Sequence, residues 1–229
     1  MILTVGSKKH SRSIAKRLDK VIDFLVGRSV RRLEERGALL SEVAADMGLR
    51  YRVTRRSVRE LASKLDEFEM SGHSRPEPGE RHEYHNLLLG HRDRVDVTVF
   101  DHMYYKSHWG EPFLRRSRSQ TLLMLESDEL DLPRIHIWPR RSKLKQDEIV
   151  VDALPSWWSE SYASWGDRAG SLEGVLTSRV LGFFESRESV HLECHSGRLL
   201  YHRGVLVDPE QIPWFVEDGM ELMGLLRNS

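Results

Sequence analysis

Residues 84–105 read YHNLLLGHRDRVDVTVFDHMYY, and the period of this stretch decides the fold class. Val95, Val97 and Val99 alternate with Asp96 and Thr98. In an extended chain successive side chains point to opposite faces, so this two-residue period predicts a strand over Val95–Tyr105. Tyr84–Gly90 is a short apolar run of strand length, and His91–Arg94 supplies the polar turn between the two. The stretch therefore predicts an antiparallel hairpin.

Downstream, Ser119–Leu125 and Arg134–Trp138 read as further strands, the second bracketed by Pro133 and Pro139. Ile149–Val151 predicts a short strand. Leu172–Ser186 predicts one helix, with Val175, Leu176, Val180 and Phe183 at helical spacing. Val190–Cys194 and Leu199–His202 predict a second hairpin around Ser196-Gly197, with the glycine expected to supply a positive φ. A closing helix is predicted over Pro209–Leu226, begun by an Asp208 cap and the adjacent proline.

Upstream the period is helical. In residues 10–36, Ile14, Leu18, Val21, Ile22, Leu25, Val30 and Leu33 recur three and four apart, opposite an Arg/Lys-rich side, with Gly37 as the expected stop. A second helix is predicted from Leu40 to Met47, with Ser41 as a cap and Gly48 as its end, and a third over Val58–Leu65. Gly72, Pro76, Pro78 and Gly79 mark Ser71–Glu80 as a loop. Strands gathered in the middle and helices at both ends give an α+β fold: a mostly antiparallel sheet, an N-terminal helical segment and packing helices that include the C-terminal one. The expected organisation is a basic helical segment over 1–48 and an α+β domain over 49–229.

The chain has 229 residues and is 39% hydrophobic and 31% charged, a globular balance that needs no disulfide or metal staple. Its single cysteine, Cys194, excludes an internal disulfide and a multi-cysteine metal centre, and a cytoplasmic location is expected. Five apolar residues followed by Lys8 and Lys9 are the wrong order for a signal peptide, and no apolar run approaches the ~20 residues that cross a bilayer. Net charge is zero but unevenly spread. Residues 1–60 hold 15 Lys/Arg against 7 Asp/Glu, and the remainder 20 against 28. Such asymmetry fits an anionic partner, or a basic arm lying on the protein's own acidic body.

Several short motifs run through this pattern. They are Asn86-Leu-Leu-Leu-Gly90, Val99-Phe-Asp101-His102-Met-Tyr-Tyr105 and Gln120-Thr121-Leu122, with Ala45-x-x-Gly48-Leu49-Arg50-Tyr51 upstream and Glu193-x-x-x-Gly197-x-Leu199-Leu200-Tyr201-x-Arg203 downstream. Together they resemble an uncharacterised family of bacterial proteins, often membrane-attached, with a pattern N-hydrophobic-x-G, V-F-D-Y-x-Y and Q-T-V. The resemblance spans residues 40–226, with His102 where an aromatic is usual and Leu49 where tryptophan is common. It implies a fold and no activity, and the hydrophobic helices of the membrane-attached relatives have no counterpart in this sequence.

Reactive constellations are few. His191, Glu193 and His195 would share one strand face and could present a zinc-like set, with Cys194 pointing away; satisfied histidines on a hairpin are the commoner case. His82-Glu83-Tyr84-His85 places its histidines three apart, not the four a helical zinc motif requires. Asp101 and His102 alternate across a strand and cannot act together on one side. No phosphate-cradling glycine loop is present, and no cofactor is implied.

Two kinds of function remain. The first is a non-catalytic module contacting a protein partner or an anionic membrane surface. Its candidate residues lie in an aromatic–basic loop, Trp109 with Arg115, Arg116 and Arg118, and in an aromatic stretch, Trp157, Trp158 and Trp165. The alternative is a DNA-binding regulator. Residues 40–60 mimic a helix-turn-helix, with Arg55, Arg56 and Arg59 projecting toward phosphates. Its recognition helix would carry Thr54 where a buried apolar residue belongs, and a short strand over Arg50–Val53 competes with it.

Overall fold

The computed structural model describes residues 33–53, 59–65, 68, 80–106, 115–140, 154–167 and 169–227; for 59, 60, 80, 106, 115–117 and 169–171 it describes the backbone course alone. Residues 10–32 of the helix expected over 10–36, residues 71–79 of the loop expected over 71–80, and the strand expected over 149–151 fall outside these residues.

The chain divides into two units, Met1–Leu39 and Leu40–Ser229. In the first, residues 33–39 are helical. Helical backbone runs through 33–46, denoted α1, so Gly37 does not stop the helix and Ser41 lies within it instead of capping it. A single glycine costs only about 1 kcal/mol in a helix, which packing readily offsets. Gly48 does end α1: it has φ +68°, its N–H donates to the Ala45 carbonyl, and the Leu49 N–H donates to the Ala44 carbonyl. This left-handed turn is the one glycine takes without strain.

The second unit is built on one eight-stranded sheet. Its strands are β1 (Arg50–Arg52), β2 (Glu80–Arg92), β3 (Val95–Lys106), β4 (Arg115–Glu126), β5 (Leu132–Pro139), β6 (Tyr162–Gly166), β7 (His191–Ser196) and β8 (Arg198–His202). They lie in the order β1-β2-β3-β4-β8-β7-β5-β6, and every pairing is antiparallel. The helices are α2 (Arg59–Leu65), α3 (Ser156–Ser161), α4 (Ala169–Val175), α5 (Ser178–Glu185) and α6 (Ile212–Arg227), the last entered through a 3₁₀ turn over Pro209–Gln211. The expected α+β class with a C-terminal packing helix holds.

Both faces of this sheet carry apolar cores. On the first face Leu88, Val97, Val99, Leu123, Ile137, Leu192 and Tyr201 share a cluster with Trp158, Phe184 and Phe215 from the helices. On the second, Tyr84, Leu87, Phe100, Leu122, Met124 and Leu200 pack with Leu61 and Leu65 of α2 and with Phe68. Each such side chain stabilises the fold by about 1.5–3 kcal/mol relative to exposure.

Sheet burial on two sides explains Leu87-Leu88-Leu89. Three consecutive leucines would leave one stranded in a one-sided sheet, but here Leu88 enters the first core while Leu87 and Leu89 pack on the second. A bulge between His85 and Leu88 sets this phase, with Asn86 at φ +52°.

Other departures have local causes. The first hairpin turns at Asp93-Arg94, both at positive φ, which matches the right-handed twist of the strands. In the second hairpin the positive φ belongs to Ser196 (+53°) and not to Gly197. Gly197 is needed because a β-carbon there would lie 2.5 Å from the Ser127 carbonyl oxygen. The helix expected over Leu172–Ser186 is two, because Thr177 opens α5 by accepting a hydrogen bond from the Val180 N–H (3.4 Å). Asp208 occupies the cap position before Pro209, but its side chain makes no capping bond. Strand β6 was not anticipated.

Helix α6 lies close on β4, since a β-carbon on Gly219 would meet Leu123 Cδ2 at 2.3 Å, whereas one on Gly224 would meet nothing within 4 Å. Gly219→Val should lower the urea-unfolding free energy by about 1–3 kcal/mol through overpacking. Gly224→Ala should raise it by up to about 1 kcal/mol.

Candidate functional site

Asp101 is the first residue to place, because a carboxylate next to a histidine suggests acid–base chemistry. It is fully buried on the first face, and both its oxygens are occupied. Oδ1 accepts from the Thr121 hydroxyl (2.8 Å) and Oδ2 from the Asn86 amide (2.9 Å). Asn86 Oδ1 in turn accepts from the Tyr51 hydroxyl (2.8 Å), and Thr121 Oγ1 accepts from the Val207 N–H (3.0 Å). Nearby, Leu49 covers Gly90, where a β-carbon would stand 2.3 Å from Leu49 Cδ2. Four residues of the quoted motifs, Tyr51, Asn86, Asp101 and Thr121, thus meet in one structural tie with the Val207 backbone, and both Asp101 oxygens are used within it.

His102 faces the other way, as strand alternation demands. The second face carries a row of buried or half-buried polar rings. His102 stacks against Tyr84 (5.3 Å between centroids) and its Nε2 lies 3.0 Å from His82 Nδ1, while Gln120 Nε2 is 3.5 Å from His102 Nδ1. His191 stacks on His202 at 4.3 Å and 15°. Arg118 keeps part of its surface in solvent, yet its guanidinium end reaches over Gly204, whose hypothetical β-carbon would lie 2.9 Å from Arg118 Nη2 and 3.7 Å from His191 Nε2.

Burial, reinforced by His82 and by the Arg118 charge, lowers His102 from 6.5 to about 3. Burial with the same Arg118 charge lowers His191 to about 3. Both imidazoles are neutral at pH 7.

The zinc-like set takes a similar place. His191 and Glu193 share the second face as predicted, with Glu193 near His136 (3.8 Å) and His195 opposite Arg198. Among the described residues no group of three or more His, Cys, Asp or Glu could hold a metal ion. Cys194 points into the first core, and burial pushes its thiol well above the ordinary range.

The aromatic candidates separate. Trp158 is buried in the first core between Tyr162 and Phe184, with Trp157 edge-on to it, so its ring is spent on packing. Trp165 is half-buried beside Trp138 and Ala163. Trp109, Arg55 and Arg56 lie outside the described residues, as do the side chains of Arg59, Arg115 and Arg116. Arg50–Arg52, where a recognition helix would approach its turn, is strand paired with Leu87–Leu89. Trp214 of α6, 70% exposed, was not singled out by sequence because it sits in an otherwise regular helical pattern.

An accessible concavity lies elsewhere. A groove of about 710 Å³ opens on the second face beside β1. Leu87, Leu89 and Met124 contribute its apolar lining, Lys64 of α2 stands on one wall, and Arg50 and Arg52 stand on the β1 side. Lys64 is committed to Glu126 (2.5 Å), which Arg198 also contacts (2.9 Å), and His91 faces Asp96 (2.9 Å). Arg50 and Arg52 are exposed, project from one face of β1, and have no ion-pair partner among the described residues. Sequence reasoning missed them because it weighed residues 50–53 only as a competitor to a DNA-binding helix.

No family model matches the chain, and no curated protein sequence matches it. Among solved structures it resembles the mycobacterial trehalose monomycolate transport factor A, TtfA, with a TM-score of 0.52 at 10% identity. The match covers 84% of this chain and 92% of that one, and it supports the fold. No helix among the described residues is long and apolar enough to cross a membrane.

The neutral histidines set a pH dependence. Unfolded imidazoles take up protons near 6.5, whereas folded His102 and His191 resist until about 3. The unfolded state therefore binds more protons in this window, and stability falls as pH drops from 6.5 toward 3. Between pH 7 and pH 5 the unfolding free energy should fall by about 1–2 kcal/mol per histidine. His102→Gln with His191→Gln should flatten the dependence; an unchanged slope in urea titrations would show that other groups set it.

Proposed function

We propose that this protein is a non-catalytic interaction module, a rigid sheet that offers a basic rim to an anionic surface on a protein partner or a membrane. The observation that carries this reading is the pair Arg50 and Arg52, exposed and without ion-pair partners among the described residues, at the edge of a groove of about 710 Å³. Exposed cations beside apolar lining suit charge-complementary recognition.

The interior supports the same reading. Asp101 is tied to Asn86 and Thr121, and His102 and His191 are held neutral among other rings. None of these groups has a nucleophile and a base converging on a cleft, which is what acyl transfer or hydrolysis requires. That the structural neighbour is named a transport factor is compatible with this reading.

The test is contact and its salt dependence. The full chain would be sedimented with vesicles containing about 30% phosphatidylglycerol and, in parallel, cross-linked in lysate of its source cells, at about 50 and about 500 mM salt. A vesicle or protein contact that weakens at least about tenfold at the higher salt is expected. Contact with neither, or contact indifferent to salt, contradicts the proposal.

A further inference from the structure

The groove and the strand beside it narrow the partner's chemistry. β1 is the terminal strand of the sheet: its inner edge pairs with β2 through Arg50↔Leu89, Tyr51↔Leu88 and Arg52↔Leu87, and among the described residues no strand pairs with its outer edge. A terminal strand presents backbone N–H and C=O groups that an extended segment can complete.

Its side chains are arranged for such a segment. Arg50 and Arg52 are two residues apart on one face, so their stems leave the strand roughly 7 Å apart. Carboxylates at alternate positions of a neighbouring strand have the same spacing, and opposite charges across a strand pair attract. Tyr51 points the other way, into the tie with Asn86, and so fixes β1 against β2. Val53, the residue after the strand, is 69% exposed.

The bland alternative is that exposed arginines guard a sheet edge against unwanted pairing. That role accounts for charge on β1. It does not account for a groove with apolar lining directly beside the same two arginines.

Resting on the interaction-module reading above, we infer that the outer edge of β1 takes an extended acidic segment of a partner protein, with acidic side chains at alternate positions set against Arg50 and Arg52. The segment adds as a ninth strand. Its affinity comes from main-chain hydrogen bonds and its selectivity from the spacing of its carboxylates.

The experiment uses the full chain and a fluorescein-labelled peptide, GEVEVEG, followed by fluorescence anisotropy. Three comparisons accompany it: the composition-matched GEEVVEG, in which no two glutamates stand two residues apart, a GEVEVEG peptide N-methylated at alternate amides, and the protein carrying Arg50→Ser with Arg52→Ser. Near-ultraviolet circular dichroism and the urea midpoint check that this variant stays folded, as two exposed side chains should allow. Binding of GEVEVEG that weakens at least tenfold in each comparison is the expected result.

Equal binding of the rearranged or methylated peptide would overturn the inference, as would binding that ignores the arginine change. Absence of peptide binding overturns it too and leaves the broader module reading to the vesicle and cross-linking test. Arginine-dependent binding to phosphatidylglycerol vesicles without peptide binding would assign the rim to a membrane instead.

Discussion

A buried carboxylate is the constraint on which the second unit depends. Asp101 sits out of water in the middle of β3, and an unsatisfied charge there would cost several kcal/mol. Asn86 and Thr121 meet that demand, and each is held by a second partner, Tyr51 and the Val207 N–H. The tie joins β1, β2, β3, β4 and the segment that leads from β8 into α6. Move β2 or β4 by a residue against β3 and the carboxylate loses a donor; move β1 or the segment after β8 and Asn86 or Thr121 loses its second partner, so the tie fixes register where apolar packing alone would tolerate slippage.

The consequences extend to the surface. Asn86 takes its place through a bulge with φ +52°, and that bulge divides the leucine run between the two cores. Tyr51 is drawn inward to Asn86, so Arg50 and Arg52 on the alternate positions must face the groove. A residue buried on one face therefore decides which side chains the sheet edge presents on the other. The histidine row on the second face has the same origin, since His102 is the neighbour of Asp101 and alternation sends it across.

Much of this was legible in the sequence where periodicity was strong. The β2–β3 hairpin, the end of α1 at Gly48, the opposite orientations of Asp101 and His102, and the C-terminal helix all follow from spacing. The motif residues were visible as a pattern, but their shared role was not. Tyr51, Asn86, Asp101, Thr121 and Val207 are separated by 35, 15, 20 and 86 positions, and only the sheet order brings them together. Strand β6 was hidden because Tyr162–Gly166 is too short and aromatic for its period to separate from the preceding Trp157-Trp158. The break between α4 and α5 was hidden because Val175 and Val180 keep an apolar rhythm across a cap made by one threonine. Arg50 and Arg52 went unnoticed for a different reason: exposure without an ion-pair partner among the described residues is a property of three-dimensional neighbours and leaves no trace in composition.

The most direct measurement of the Asp101 claim is a double-mutant cycle with Asp101→Ala and Thr121→Val, read by urea unfolding of the single and double variants. If the carboxylate and the hydroxyl act as one tie, the two losses will fail to add, with a coupling of about 1–3 kcal/mol. Losses that add to within about 0.5 kcal/mol would contradict it, and the register of the sheet would then have to be attributed to its apolar cores alone.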